Sequence, residues 1–351
     1  MGTYKKIKFS SKYDYAYSVG RVRALETLLL KDNEMDRMML GEGPEDVFKI
    51  LNELDFADNK AGIKSPSDFQ KVLDSGLKDI KDLYEKILPN KKALDFIFLE
   101  YDFHNIKTFL KAKLSGKSVE EIDFIISDLG TIKKEALRIF IFDEKDAAFG
   151  LPENTESYLK KKIRKAEVLF KKENQNPEVI DLYLDQKMMK ILFGIAKDLK
   201  SEFLVEYIRK FIDLNNIKLF FRMKHQDKEL HLFEIAFIWN GTIPYEKFKS
   251  AYKEPLEKFP EIMKASPYGK IISTGYQRYV EEQCFIYLER EIENYLLDHI
   301  RKAKQTAFGP EPVVAYFLAN KNNALIIRMI MINKLNGISA EEIQKRIRKL
   351  Y

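Results

Sequence analysis

Lys113-Leu-Ser-Gly-Lys-Ser-Val-Glu-Glu-Ile122 returns without a gap as Lys334-Leu-Asn-Gly-Ile-Ser-Ala-Glu-Glu-Ile343, at an offset of 221. The lysine, leucine, glycine, serine, both glutamates and the isoleucine are all kept. Half-way between, Asp213-Leu-Asn-Asn-Ile-Lys-Leu-Phe-Phe-Arg-Met-Lys224 echoes Asp102-Phe-His-Asn-Ile-Lys-Thr-Phe-Leu-Lys-Ala-Lys113 at an offset of 111. Self-similarity at a fixed period marks a repeated structural unit. The chain therefore reads as a threefold repeat, with copies at 1–117, 118–228 and 229–351.

Each copy carries an acidic or amide residue, a cation five positions on, an apolar stripe and a second cation before a turn: Asp102, Lys107, Lys113; Asp213, Lys218, Lys224; Asn323, Arg328, Lys334. Positions five apart on a helix are not neighbours, so an ion pair within one helix does not explain the spacing. Cations late in a helix are favoured by its dipole, which alone accounts for Lys113, Lys224 and Lys334. Snorkelling at a helix edge would similarly account for Lys107, Lys218 and Arg328. The other reading is that these three hold the same element in each copy. Ser118 with Glu121, and Ser339 with Glu342, have the spacing of capping boxes that open the helix after the turn.

Outward from the repeat, nearly everything has helical period. Tyr15, Val19, Val22, Leu25 and Leu29 fall three and four apart, one face of an amphipathic helix. A second helix starts after Gly43-Pro44, and a third runs from Phe69 to Ile87 between Ser65-Pro66-Ser67 and Pro89-Asn90. Long helices are expected over about 153–172, 178–200 and 202–224, broken by Asn174-Gln175-Asn176-Pro177. One segment, Phe233–Trp239 before Asn240-Gly241, stays open between strand and non-strand. The fold class is all-α.

The chain has 351 residues, with 45% hydrophobic and 32% charged, enough for more than one ordinary core under a solvated surface. Its net charge of +6 is too small and too dispersed for a nucleic-acid binder. The one cysteine, Cys284, excludes an intrachain disulfide, fits a reducing compartment and, among Phe285, Ile286 and Leu288, reads as a buried inert thiol. Residues Met1–Ser11 lack an apolar run or acylation pattern, so neither secretion nor lipidation is expected. The longest apolar run, Ala324–Ile332, is about half a membrane span and is interrupted by Arg328.

Chemistry-bearing patterns are few. No glycine-rich phosphate loop is present, so ATP hydrolysis by this chain is not expected. His104, His225, His231 and His299 lie far apart and form no ligand spacing, so no metal and no cofactor is assigned. Asp181 with Asp185, and Glu289 with Glu293, share helix faces but say nothing specific at that spacing. The run Lys160-Lys-Lys-Ile-Arg-Lys165 has the charge to meet phosphates, although a solvated helix face is the plainer reading. Arg21 and Arg23 flank the inward face of the first helix and are expected at an interface rim. No residue is assigned a catalytic role.

Several separated motifs resemble the C subunit of bacterial and archaeal V/A-type ATPases, whose eukaryotic counterpart is the d subunit. They are Tyr15-Ala16-Tyr17 with Arg21-Val22-Arg23-Ala24-Leu25-Glu26, Tyr101 to Lys107 with Lys111-Ala112-Lys113, Phe308-Gly309-Pro310-Glu311-Pro312 leading to Tyr316, and Arg328 with Lys334-Leu335-Asn336-Gly337. The resemblance spans the whole chain and departs at Asn323, where an acidic residue is usual. It implies three similar helical subdomains arranged as a funnel on the cytoplasmic side of the membrane. It also implies a non-catalytic rotor component, one copy per complex, joining the central shaft (D- and F-type subunits) to the proteolipid ring. On that reading it couples ATP hydrolysis or synthesis to proton or sodium transport. The alternative from the residues alone is a free-standing helical scaffold with a concave binding face, against which the long repeat of about 111 residues stands.

Overall fold

The computed structural model describes residues 13–54, 56 and 65–351. The opening residues Met1–Ser11, read above for targeting signals, lie outside the described residues. Among the described residues there are sixteen α-helices, short 3-10 turns and no strand. In chain order they are α1 (Ala16–Leu25), α2 (Asp32–Leu40), α3 (Pro44–Glu53), α4 (Phe69–Ile87), α5 (Lys91–Leu114), α6 (Lys134–Ile141), α7 (Glu153–Lys172) and α8 (Glu178–Asp198). Then follow α9 (Glu202–His225), α10 (Leu230–Ala236), α11 (Tyr245–Tyr252), α12 (Phe259–Ile262), α13 (Gly269–Glu282), α14 (Ile286–Arg301), α15 (Glu311–Leu335) and α16 (Ala340–Arg346).

These helices gather into two compact units, one of residues 1–94 with 293–351 and one of residues 95–292. The first unit is built on α15. Val313, Phe317, Ala324, Ile326, Ile327 and Ile330 are all buried, and the helix is apolar on every side. A helix of that kind must be surrounded, and α1, α2, α3 and α4 pack against it. Val19 and Val22 of α1 and Val72, Leu73 and Tyr84 of α4 face inward, as their three-and-four spacing demands. Tyr84 is fully buried, and its hydroxyl donates to the Val313 carbonyl at 2.7 Å.

In the second unit α8 packs on α7, α9 and α10. Its core includes an aromatic cluster around Phe220 of α9, which stacks on Phe259 at 3.8 Å and meets Phe233 and Tyr252 edge-on. Phe233 is helical, as part of α10, and the chain beyond Ala236 is loop, so the open segment 233–239 resolves as helix then loop. Its apolar residues are there to feed the Phe220 cluster, a demand that looks the same in a short helix as in a strand.

Both expected capping boxes form only half. After Ser118 the Glu121 carboxylate accepts from the Ser118 amide at 2.7 Å, and the segment that follows, Glu120–Ile125, is a 3-10 helix. At Ser339 it is the hydroxyl that accepts, from the Glu342 amide at 3.4 Å. Cys284 is partly exposed rather than buried, because it falls in the link between α13 and α14 and not on a packed face.

Candidate functional site

The residues singled out by the repeat lie on three long helices, α5, α9 and α15. Asp102 of α5 is wholly buried. Its carboxylate accepts from the Thr131 amide at 2.6 Å, the Ile132 amide at 2.8 Å and the Thr131 hydroxyl at 2.7 Å. One turn on, Asn105 exchanges a pair of hydrogen bonds with the backbone of Ser127, at 2.8 and 2.9 Å. The two side chains grip the loop that leads into α6. A buried carboxylate is tolerable only when donors replace its water, and here three do.

Asp213 and Asn216 of α9 do the same to the loop that leads into α11. Asp213 accepts from the amides of Thr242 and Ile243 at 2.9 and 3.0 Å, from the Thr242 hydroxyl, and from the Tyr268 hydroxyl at 3.0 Å. Asn216 exchanges bonds with the Ile238 backbone at 2.8 and 2.9 Å. A glycine precedes each clamped threonine because the carboxylate lies where a side chain would be. A Cβ at Gly130 would meet Asp102 Oδ1 at 2.8 Å, and one at Gly241 would meet Asp213 Oδ1 at 2.2 Å.

On α15 the corresponding residue, Asn323, is also buried. Its amide accepts from the Leu30 amide at 3.0 Å and donates to Ala319 O at 3.3 Å. Leu30 lies in the loop that leads into α2. Asn323 thus also holds a loop, by a single bond, and that loop comes from the opposite end of the sequence.

The late lysines also act on the helices that follow the clamped loops. Lys113 pairs with Glu144, just past the end of α6, at 2.7 Å and with Glu167 at 3.0 Å. Lys224 donates to the carbonyl of Tyr252, the last residue of α11, at 3.1 Å. Lys334 donates to the carbonyl of Gly41, which caps α2, at 2.6 Å. Carbonyls at a helix C-terminus lack intrahelical donors and carry partial negative charge, which a lysine satisfies.

The middle cations diverge. Lys107 pairs with Asp185 of α8 at 2.7 Å, where burial pushes the carboxyl above its ordinary value against the pull of Lys107. Arg328 donates to Gln70 of α4 at 2.8 Å and stands near Asp74, whose carboxyl burial also raises. Lys218 makes no ion pair among the described residues and lines a recess with Asp185, Met189 and Phe211. The acidic pairs passed over in the sequence are partners here: Asp181 takes Lys111 at 3.0 Å, and Glu289 takes Arg222 at 3.1 Å.

Of the two arginines on α1, Arg23 turns inward and bonds Glu26 at 2.7 Å and the carbonyls of Ala303 and Thr306 at 2.6 and 3.0 Å. Arg21 is exposed and lines an open groove of about 640 Å³ with Tyr17, Gly20, Leu83 and Lys86. Tyr17 is 72% exposed. Among the described residues no group of three His, Cys, Asp or Glu side chains is placed to hold a metal ion, and no helix is long and apolar enough to cross a membrane.

The clamp partners Asn105, Asn216, Gly130, Thr131, Gly241 and Thr242 were not among the residues singled out from sequence. The signal was there: Gly130-Thr131-Ile132 and Gly241-Thr242-Ile243 stand at the same offset of 111 as the helices that hold them.

The chain matches the ATP synthase (C/AC39) subunit family over residues 18–346. It is 24% identical to the C subunit of the V-type sodium ATPase of Enterococcus hirae, over 81% of this chain and 83% of that one. It is 22% identical to the C subunit of the A-type ATP synthase of Methanocaldococcus jannaschii, over 94% and 85% of the two chains. To the C subunit of the V-type ATP synthase of Thermus thermophilus the identity is 21%, over 95% and 98%. With the match running from α1 to the end of α16, the chain belongs to the ATP synthase (C/AC39) subunit family.

Proposed function

We propose that this chain is the non-catalytic socket of a V/A-type rotary ATPase, seating the central shaft on the membrane ring at the cytoplasmic face. It turns with the rotor and carries torque between the ATP-driven head and the ring that moves protons or sodium. The observation that carries this reading is the family match over residues 18–346. The clamps add support of a physical kind. A torque adaptor must not yield, and buried carboxylates and amides that fasten loops to long helices resist yielding better than apolar contacts alone, because a displaced loop leaves buried polar groups unpaired.

The family resemblance further implies three similar helical subdomains, split near residues 117 and 228 and arranged as a funnel that receives D- and F-type shaft subunits, in one copy per complex; each clamp fastens a helix of one of these stretches to a loop of another. Arg21 and the exposed Tyr17, beside an open groove, are the contact residues this reading favours on α1. Arg23 serves the fold.

The test is to tag the chain in its native membranes, purify it, identify what comes with it, and compare ion-coupled ATPase activity with and without it. Recovery of shaft and ring subunits, with coupling lost on depletion, is the expected result. Isolation of the chain alone with coupling intact would leave the scaffold reading in its place. Arg21→Glu is expected to weaken shaft or ring binding at unchanged thermal midpoint, and unchanged affinity would remove Arg21 from the contact.

A further inference from the structure

Two neighbouring helices of the second unit present the same spacing: Tyr158, Lys162 and Lys165 on α7, and Tyr183, Lys187 and Lys190 on α8. Steps of four and three keep each set on one helix face. The helices are joined by a short turn and pack together, and the two sets meet head to tail. Lys162 and Lys190 stand over the Tyr158 ring at 4.9 and 5.2 Å. Lys187 and Lys165 stand over the Tyr183 ring at 4.6 and 6.0 Å.

The four ammonium groups are held close without a carboxylate among them, and Lys187 donates to the neutral amide oxygen of Gln186. The acids of these two helices that could answer them are engaged elsewhere: Glu156 with Lys160, Glu167 with Lys113, Asp181 with Lys111, Asp185 with Lys107 and Glu178 with Lys228. Burial, reinforced by Lys162, Lys165 and Lys190, brings Lys187 down to about 8, and Lys162 is lowered too. One of the two rings under these lysines carries an unanswered donor. Tyr183 is 5% exposed, and its hydroxyl is buried without a hydrogen-bond partner. Like charges gathered at this range repel, and a buried hydroxyl without a partner costs free energy. A single multiply charged anion cancels both.

We propose that this face is a binding site for a phosphate monoester or pyrophosphate group, held by Lys162 and Lys187 at the centre, Lys165 and Lys190 outside them, and the Tyr183 hydroxyl as a donor. Lysines are point charges with several donors each and suit a compact polyanion, whereas planar carboxylates are matched by arginine forks. The group is carried either by an anionic lipid headgroup or by a soluble molecule. The site is independent of the socket reading and stands or falls without it.

The experiment uses the full chain in about 0.1 M salt, where long-range attraction is screened. Inorganic pyrophosphate is titrated calorimetrically, and sedimentation is followed with phosphatidylcholine vesicles with and without phosphatidic acid. Binding is expected in at least one arm, and which arm responds identifies the source. The Lys162→Gln, Lys187→Gln double variant should lose about tenfold in affinity, while Lys171→Gln with Lys172→Gln, an equal charge change at the end of α7, should lose less than about twofold. Tyr183→Phe should weaken binding while raising the ligand-free thermal midpoint, since it removes a buried hydroxyl that has no partner. No binding in either arm, or equal losses from the two double variants, would overturn the site.

Discussion

The clamp on α9 and the clamp on α15 solve one problem with different chemistry. Asp213 faces two backbone amides and two hydroxyls, and a carboxylate with two oxygens is the group that answers all four. Asn323 faces one amide and one carbonyl, which an amide side chain satisfies with one oxygen and one nitrogen. Both are buried. The difference teaches that the residue at this position follows the groups that surround it, and that charge is used only where enough donors converge to replace water.

The comparison breaks most visibly at Asp213. Asp213→Asn keeps its oxygen for the amides of Thr242 and Ile243 but must turn its amide nitrogen on the Thr242 and Tyr268 hydroxyls, and it removes the charge that strengthens all four bonds, so a loss of about 3–5 kcal/mol is expected in guanidinium unfolding. The reverse exchange, Asn323→Asp, should cost about 2–4 kcal/mol, since a carboxylate there would face Ala319 O and a single donor. Were it neutral, the donor-count argument would fail. Gly241→Ala is expected to cost about 2–3 kcal/mol and Gly130→Ala less, because the clash at Gly241 is the closer one; the order of the two unfolding midpoints is the reading. Lys334→Met and Lys224→Met should each lower stability by about 0.5–1 kcal/mol, being similar bonds to similar helix ends, and a large disparity would show that the ends are not equivalent.

The smallest effect is at Asp185. Its folded-state pKa is raised above 3.8, so the stability it contributes is present below that value and lost as pH rises through the raised one. Its side chain is 41% exposed, which limits the effect of Asp185→Asn to under about 1 kcal/mol near neutrality. The variant removes a contribution that falls with pH, so it should steepen the rise of stability along the acid limb. An unchanged limb would assign the raised pKa no energetic weight.

Helix positions were legible from spacing alone, since Val19, Val22, Val72 and Leu73 are buried as their period requires. The pattern also singled out Asp102, Asp213 and Asn323, all three of which are buried. What they grip was not legible, because a clamp joins residues 29 apart in two cases and some 290 apart in the third, and a helix pattern carries no record of its loop partners. Acidic pairs such as Asp181 and Asp185 looked like ordinary solvated faces for the same reason: their cations sit on another helix. The inward turn of Arg23, against the outward one of Arg21, is settled by carbonyls of Ala303 and Thr306 that no local pattern announces.

The bond between Leu30 and Asn323 has a consequence in time. A ribosome adding about 5–20 residues per second needs about 15–60 s to travel from one to the other. For most of that interval α1 and α2 have their apolar faces made and α15 does not yet exist. The second unit, whose residues are contiguous from 95 to 292, is free to finish while the first waits. In the first unit birth order and the order of contact formation therefore part ways, since α1 and α2 are made early but have α15 to pack against only at the end of synthesis.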